Sequence, residues 1–299
     1  MYKHAYLIIA NRNFNQLCNL ISLIDDIRND IYILIDSKSK NVDTENIMNS
    51  TVKSNLYFVT PIKIYWGDFS QVLAELNLLK NAVQRHYSYY HLLSGLDLPL
   101  QNQDFIHDFF EKNNGKQFLT YTDHSIYKKA KVYERVKYYY HFNHVPYFKL
   151  RHILTRAEIE FQKIIGINRW NSNQAELTFG SNWFSINDDL ANYIVDNEDW
   201  IRKHFSRTYC SDELFIHTLV SNSTFYDQVY IKEGVKDQPE DKQGNLRYIN
   251  WWDGSPYVWK EEDYDYLVKV RNKGYLFSRK FDESVDSNII KKIIELVKA

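Results

Sequence analysis

Two adjacent carboxylates, Asp212 and Glu213, stand at the head of a nearly continuous apolar run in the segment CSDELFIHTLV. A carboxylate on a rigid element can act as a general base when it lies within hydrogen-bond reach of the proton it removes. The same residues also fit a helix start, because Ser211 is a suitable N-cap and acidic residues are favoured in a first helical turn. By spacing alone, helix capping is the favoured interpretation of the pair.

His217 follows Glu213 by four residues, which would bring the two side chains together on a helix. No H-E-x-x-H motif accompanies them, so the spacing predicts one salt-bridge-like contact rather than a metal pair. The Asp-x-Asp motif, Asp263-Tyr264-Asp265, lies in a charged segment that is typical of a solvated helix face. Hard cations prefer paired carboxylates, and Asp97 stands without an acidic residue two positions away. We therefore expect no bound metal.

The segment FSRKFD places Arg279 and Lys280 together between aromatic residues. Cationic side chains stabilise pyrophosphate and can replace a divalent metal at a leaving nucleoside diphosphate. In the segment KIYWGDFS, Trp66 lies between a predicted strand and a predicted helix, and Gly67 permits close backbone approach. Trp66 could stack on a base or a sugar, or could cover the sheet as a hydrophobic plug. The residue alone does not favour either role.

The elements that must position these residues follow a repeating order in the first hundred residues. Apolar, strand-forming runs at 5–10, 30–36, 55–60 and 89–95 alternate with helical patterns that begin at Phe14 and cover 70–84, the latter with Ser70 as its cap. This order predicts a parallel sheet whose ligand lies beyond the carboxyl ends of the strands. Neither a G-x-G-x-x-G turn nor a P-loop is present, which disfavours a dinucleotide site and P-loop phosphoryl transfer.

The second half is less regular. We predict strands over 116–123 and 179–186, an amphipathic helix over 150–166 that ends at Gly166, and a basic, Tyr-rich stretch between. No internal repeat or linker is evident. The prediction is one domain over 1–299, with a regular half at 1–100 and a less regular half at 101–299.

The bulk composition excludes several function classes. The 299 residues include 37 basic and 38 acidic side chains, so no global field attracts nucleic acid. The aromatic share of 16% weakly favours carbohydrate binding. Two distant cysteines predict reduced thiols in a cytosolic protein, and no run approaches the length of a membrane span. The protein is expected to be soluble or peripherally attached to a membrane.

Several segments, taken in order, resemble the Core-2/I-branching glycosyltransferases, a group that includes protein xylosyltransferases. The segments are AYLIIANRN, DIYILIDSKS, YWGDFSQVLAELNLL, YYHLLSGLDLPL, FGSNWFSI, SDELFIHTLV, RYINW and LFSRKFD. The resemblance runs from Ala5 to about Asp282. It implies an α/β fold of the GT-A type with a Rossmann-like, mostly parallel sheet, a nucleotide-binding half at 1–100 and an acceptor-binding and catalytic half at 101–299. It also implies inverting transfer, without a divalent metal or other cofactor, from a UDP-sugar, most often UDP-GlcNAc, to a hydroxyl of a glycan acceptor.

The resemblance also implies roles for particular residues. Glu213 corresponds to the family's catalytic base, and Lys280 to the lysine that binds the diphosphate. The other expected UDP-sugar contacts are Ile9, Ala10, Asn11, Asp36, Ser37, Lys38, Trp66, Asp97 and Arg279. On the acceptor side we expect Thr120, Lys131, Arg135, Trp183 and Asp212.

The chain departs from the family pattern at two positions. Thr120 stands where many members carry a glutamate that touches the acceptor sugar, which puts the acceptor in doubt. Tyr257 stands where many carry a second basic phosphate ligand, for which Arg279 or Arg247 could compensate. The alternatives are therefore a non-catalytic carbohydrate-binding protein on a degenerate transferase fold, or a transferase that uses UDP-xylose or UDP-glucose.

Without an anchor and with so few cysteines, the chain looks like a bacterial cytosolic form that acts at the inner face of the plasma membrane on a glycan or lipid-linked glycan. The basic stretch Lys128 to Lys137 could face an acceptor or anionic lipid, although a solvated helix face is the commoner arrangement.

Overall fold

Four strands of the first half form the parallel part of a five-stranded sheet. The computed structural model describes residues 3–145, 147–170 and 175–299. Its strands are β1 (His4–Ala10), β2 (Asn29–Ile35), β3 (Asn55–Val59), β4 (Tyr89–Ser94), β5 (Leu98–Pro99), β6 (Ser185–Asn187), β7 (Arg247–Ile249) and β8 (Phe277–Arg279). The main sheet has the order β3-β2-β1-β4-β6, in which β6 alone runs antiparallel. The predicted α/β class with a mostly parallel sheet is confirmed.

The apolar character of the central strands follows from their position. Ala5, Tyr6, Leu7 and Ile8 of β1 have no solvent exposure on either face. Parallel strands covered by helices on both sides read as continuous apolar runs, because no face is left for water. Leu7 and Ile8 each contribute roughly 1.5–3 kcal/mol by burial.

Helices cover both faces of the sheet. The helices that the structure describes are α1 (Phe14–Ile24), α2 (Thr44–Met48), α3 (Ser70–Ala82), α4 (Gln103–Lys112), α5 (His124–Tyr127), α6 (Val132–Lys137), α7 (Phe148–Ile164), α8 (Asp188–Asp196), α9 (Glu198–Phe205), α10 (Phe215–Ser221), α11 (Tyr264–Asn272) and α12 (Ser287–Lys298). The apolar side chains of α3, α8 and α10 pack on one face of the sheet. Those of α1, α11 and α12 pack on the other face. Among the described residues, no helix combines the length and the apolarity needed to cross a bilayer.

A second sheet of three strands, ordered β5-β8-β7, joins the end of the chain to the first half. Leu98 pairs with Ser278, so β8 lies directly beside the segment that follows β4. This pairing carries Arg279, at the end of β8, to the carboxyl end of the main sheet.

Three local predictions are wrong. Ser70 does not cap α3: its Oγ accepts from the Tyr65 N–H (2.9 Å), and its own N–H donates to Asp68 Oδ1 (2.9 Å). The predicted strands over 116–123 and 179–186 reduce to isolated bridges and the short β6. These segments lack a continuous partner, which alternation alone could not reveal. The predicted single-domain organisation stays a prediction.

Candidate active site

A cavity of about 290 Å³ opens at the carboxyl ends of β1 and β4. The strand order reverses between these two neighbours, and open α/β sheets bind ligands at such a point. Six of the predicted donor residues line the cavity: Ile9, Asn11, Asp36, Trp66, Arg279 and Lys280. The sheet therefore gathers side chains that lie up to 271 positions apart in the sequence, from Ile9 to Lys280.

Three cationic side chains converge on this cavity. Arg12 lines the cavity and holds Asp282 through Nη2 at 2.8 Å. The Arg279 guanidinium lies 4.2 Å above the Trp183 ring, and its Nε and Nη1 are buried without a hydrogen-bond partner among the described residues. Burial lowers the pKa of the Lys280 ammonium, and the charges of Arg12 and Arg279 lower it further. A bound anion would relieve this mutual repulsion, so the arrangement suits a diphosphate.

Asp97 supports this cation cluster from behind. The carboxylate is buried, accepts from the N–H and hydroxyl of Ser94 (3.0 and 2.7 Å), and lies 3.6 Å from Arg279 Nη1. It does not line the cavity. The structure thus places Asp97 where it can orient Arg279 rather than contact a ligand.

Asp36 faces the cavity from the end of β2, with its Oδ1 accepting from the Lys38 N–H (3.0 Å) and its Oδ2 3.0 Å from Lys38 Nζ. Ser37 and Lys38 themselves are exposed and do not line the cavity. Ala10 is buried beneath Gly95, where an added Cβ would come within 3.2 Å of the Ala10 Cβ. Ala10, Ser37 and Lys38, which were predicted to contact the donor, therefore do not line the cavity.

Trp66 lies at the cavity rim with 64% of its surface exposed and its ring edge-on to Tyr209, at 5.7 Å between centroids. So exposed a ring does not cover the sheet, and the plug alternative is wrong. Gly67 has φ +74°, and a Cβ there would lie 2.7 Å from the Tyr209 ring. The predicted close approach at Gly67 is confirmed.

A smaller cavity of about 120 Å³ holds the predicted base. Glu213 lines it together with Thr120, Gly180 and Trp251. The Thr120 Oγ1 accepts from the Asn245 N–H at 2.9 Å, and its carbonyl accepts from the Ser181 N–H at 3.0 Å. Gly180 is pressed against this wall, since an added Cβ would stand 2.1 Å from the Thr120 carbonyl oxygen.

The Glu213 carboxylate is paired with Arg135, at 2.6 Å between Oε2 and Nη1. Burial lowers the pKa of the Arg135 guanidinium, but the charge of Glu213, its hydrogen bond and the nearby Cys210 and Asp212 together raise it, and the net shift is upward. The predicted contact between Glu213 and His217 is wrong. His217 is fully buried against Tyr121, and burial lowers the pKa of its imidazole to about 3, so it is neutral.

Behind Glu213 lies a group of buried, unpaired polar atoms. Glu213 ends a 3-10 turn (Ser211–Glu213) that no side chain caps, so the predicted caps at Ser211 and Asp212 are wrong. Ser211 Oγ, Asp212 Oδ1 and both carboxyl oxygens of Glu75 have no hydrogen-bond partner in the described chain. Burial, then the charge of Glu213, raises the pKa of Asp212 to about 7. Burial and Asp212 raise the pKa of Glu75 as well.

The two cavities are neighbours. Ser181 lines the smaller one and Asn182 the larger one. The Cys210 N–H donates to the Gly67 carbonyl at 2.9 Å, which ties the loop of Glu213 to the loop of Trp66. An acceptor at Glu213 would therefore lie beside a donor held in the larger cavity.

Other predicted residues lie elsewhere. Trp183, expected at the acceptor, lies in the wall of the larger cavity. Lys131 is exposed in the turn before α6 and lines neither cavity. Arg247 is fully buried and donates to the carbonyls of Asn245 and Phe184, so it cannot replace a phosphate ligand at Tyr257. Asp263 accepts from the Tyr257 hydroxyl at 3.1 Å, outside both cavities.

Two charged residues that line the larger cavity, Arg12 and Glu75, were given no role by the sequence analysis. Arg12 stands two residues after the end of β1, and ligands of open α/β sheets lie beyond the carboxyl ends of the strands. Glu75 falls between Val72 and Leu79 on the apolar face of α3, and a charged residue on such a face is a detectable signal. Across the described ranges, no cluster of three or more His, Cys, Asp or Glu side chains could hold a metal ion.

Comparison with known proteins gives a family match over most of the chain. The model of the family described as Core-2/I-branching enzyme matches residues 4–266. One similar curated protein is the xylosyltransferase sqv-6 of Caenorhabditis elegans, which is 27% identical over 96% of this chain and 36% of that protein. Xylosyltransferase 2 of Rattus norvegicus is 23% identical over 96% of this chain and 32% of that protein. The chain thus spans about a third of the length of the curated relatives it matches.

Two solved structures share a general similarity. Mouse xyloside xylosyltransferase 1 gives a TM-score of 0.37 at 8% identity, over 93% of this chain and 96% of that one. Core-mannan synthase A of Aspergillus fumigatus gives a TM-score of 0.37 at 13% identity, over 77% of this chain and 72% of that one. These scores are too low to assign a fold, and the fold assignment rests on the sheet order.

Proposed function

This chain belongs to the Core-2/I-branching enzyme family, a family of glycosyltransferases, and we propose that it transfers a sugar from a UDP-sugar to a glycan hydroxyl with inversion. The observation that carries the proposal is the position of Glu213. Its carboxylate lines a cavity that adjoins the larger, cation-lined cavity at the carboxyl ends of β1 and β4.

In the proposed reaction, Glu213 takes the proton of the acceptor hydroxyl. The hydroxyl oxygen attacks the anomeric carbon from the face opposite the diphosphate, and the bond from that carbon to the phosphate oxygen breaks. UDP leaves with the electron pair, and Arg279 and Lys280 stabilise its negative charge. Arg135 holds one oxygen of Glu213 at 2.6 Å and thereby fixes its orientation.

We propose that no divalent metal is needed at the diphosphate. Arg12, Arg279 and Lys280 supply positive charge in the larger cavity, where the leaving group would lie. Guanidinium and ammonium groups bind phosphate oxygens by charge-assisted hydrogen bonds. Activity that is lost in EDTA and restored by Mn²⁺ would contradict this part of the proposal.

The donor sugar is proposed to be GlcNAc, with xylose as the second candidate because the curated relatives are named xylosyltransferases. The acceptor is proposed to be a glycan or lipid-linked glycan, reached from the cytoplasmic side of a membrane. A screen of UDP-GlcNAc, UDP-xylose and UDP-glucose that measures UDP release identifies the donor, and repeating it with candidate acceptors separates transfer from hydrolysis.

The test of the base is Glu213→Gln, since loss of a general base costs about 10²–10⁴-fold in rate. Calorimetry should show that this variant still binds UDP, because Glu213 does not line the larger cavity. Glu233→Gln, at an exposed carboxylate, is the matched control. Full activity of Glu213→Gln would refute the assignment. A wild-type chain that takes up no UDP would instead favour a glycan-binding protein.

A further inference from the structure

Helix α7 turns its apolar side chains to solvent. Of its 17 residues only Gln162 is buried, whereas Ile153 is 63% and Ile164 is 83% exposed. Phe148 and Phe161 are exposed as well. A surface helix of a folded domain normally directs its apolar residues to the core, and a contiguous exposed apolar surface marks an interaction site.

The outward face of α7 has an ordered pattern. Leu150, Ile153, Ala157, Phe161 and Ile164 follow one another at spacings of three or four residues and form one apolar stripe, here called the α7 stripe. Lys149, Arg156 and Lys163 recur every seven residues and form a basic row along one side of it. Glu160, on the same outward side, is paired with Lys163 at 2.9 Å.

We propose that the α7 stripe docks onto an anionic lipid bilayer. Apolar side chains on one side of a helix enter the boundary between headgroups and acyl chains, while neighbouring Lys and Arg side chains reach the lipid phosphates. The charge pattern favours an anionic bilayer over a second copy of the chain as the partner. A second copy of the chain would present the same face, which has no row of carboxylates to pair with Lys149, Arg156 and Lys163.

The inner side of α7 connects it to the larger cavity. Arg151 donates to the Asn143 carbonyl at 3.4 Å, and Asn143 Nδ2 donates to the Gly67 carbonyl at 3.2 Å. The Arg151 guanidinium also lies 6.0 Å from the centre of the Trp66 ring. Docking would therefore hold the cavity rim near the bilayer, within reach of a lipid-linked acceptor. This last consequence rests on the proposed transferase function, whereas docking itself does not.

The experiment measures co-sedimentation of the full chain with vesicles of phosphatidylcholine alone and of phosphatidylcholine mixed with phosphatidylglycerol. We expect binding to the anionic vesicles only, and weaker binding at high salt because the basic row is screened. Ile153→Ser combined with Phe161→Ser should weaken binding by roughly tenfold or more, since it removes apolar surface from the stripe.

Ile27→Ser is the matched control, because Ile27 is also 63% exposed but lies outside α7. It should bind vesicles as the wild type does, and circular dichroism should show that every variant is folded. No binding to anionic vesicles, equal binding to neutral ones, or equal loss in the Ile27 variant would overturn the proposal. So would light scattering that shows a dimer abolished by Ile153→Ser. The vesicle assay contains no UDP-sugar and measures no transfer, so Glu213→Gln should bind vesicles as the wild type does. The outcome of this test is therefore separate from that of the transferase test.

Discussion

Replacing Asp212 with asparagine should stabilise the folded chain at alkaline pH and have little effect in acid. Asp212 is buried with Oδ1 unpaired, and burial, then the charge of Glu213, raises its pKa from 3.8 to about 7. Asparagine has nearly the same shape and carries no charge at any pH. The substitution therefore removes the cost of ionising a buried carboxyl and little else.

The direction of the pH effect on stability depends on whether Asp212 ionises first in the folded or in the unfolded chain. Below pH 3.8 the carboxyl is protonated in both the folded and the unfolded chain, and its charge has no effect on stability. As the pH rises, the unfolded chain loses this proton first, so the stability of the wild type falls until the pH passes about 7. A shift of this size corresponds to about 4 kcal/mol, since each pKa unit is worth about 1.4 kcal/mol.

The measurement is urea unfolding of the wild type and Asp212→Asn at pH 4, 6 and 8. The difference in free energy of unfolding between the two chains should grow by about 4 kcal/mol from pH 4 to pH 8. In a Glu213→Gln background it should grow less, because the charge of Glu213 causes part of the shift. Asp265→Asn, on an exposed carboxylate of α11, is the control. A difference that stays constant with pH would show that Asp212 ionises as it would in water and would refute the reasoning.

Two further predictions concern the cavity walls. Gly180→Ala should destabilise the fold by about 2 kcal/mol or more in urea unfolding, because its Cβ would stand 2.1 Å from a backbone oxygen that cannot move freely; wild-type stability would contradict the packing described for Thr120. Lys280→Met should weaken UDP binding by about tenfold in calorimetry while leaving the melting temperature nearly unchanged, since a charge-assisted hydrogen bond contributes roughly 1.5–3 kcal/mol. Unchanged affinity would move the diphosphate away from Lys280, and the exposed Lys53→Met is the control.

The parallel sheet was predictable because its signal is local. Residues 5–10 and 31–35 are apolar without interruption, as is typical of parallel strands covered on both faces. The polar residues directly after them, Asn11 and Asp36, were therefore placed correctly at one edge of the sheet. The motif order also identified the family, because each motif is a short stretch of consecutive residues that can be recognised without knowledge of the fold.

The site itself depends on contacts between distant residues, and local patterns carry no information about them. Glu213 had been assigned His217 as its partner because they lie four residues apart, yet the structure pairs it with Arg135, 78 residues away. The strand predicted over 116–123 failed for the same reason, since a strand exists only where a partner strand runs beside it. Arg12 and Arg279 gained a shared role only when β8 paired with β5 and carried the chain end to the sheet edge. The sequence determined which side chains were available. Their charge depends on burial and on neighbouring charges, as Asp212 beside Glu75 and Glu213 shows, and these exist only in the folded chain.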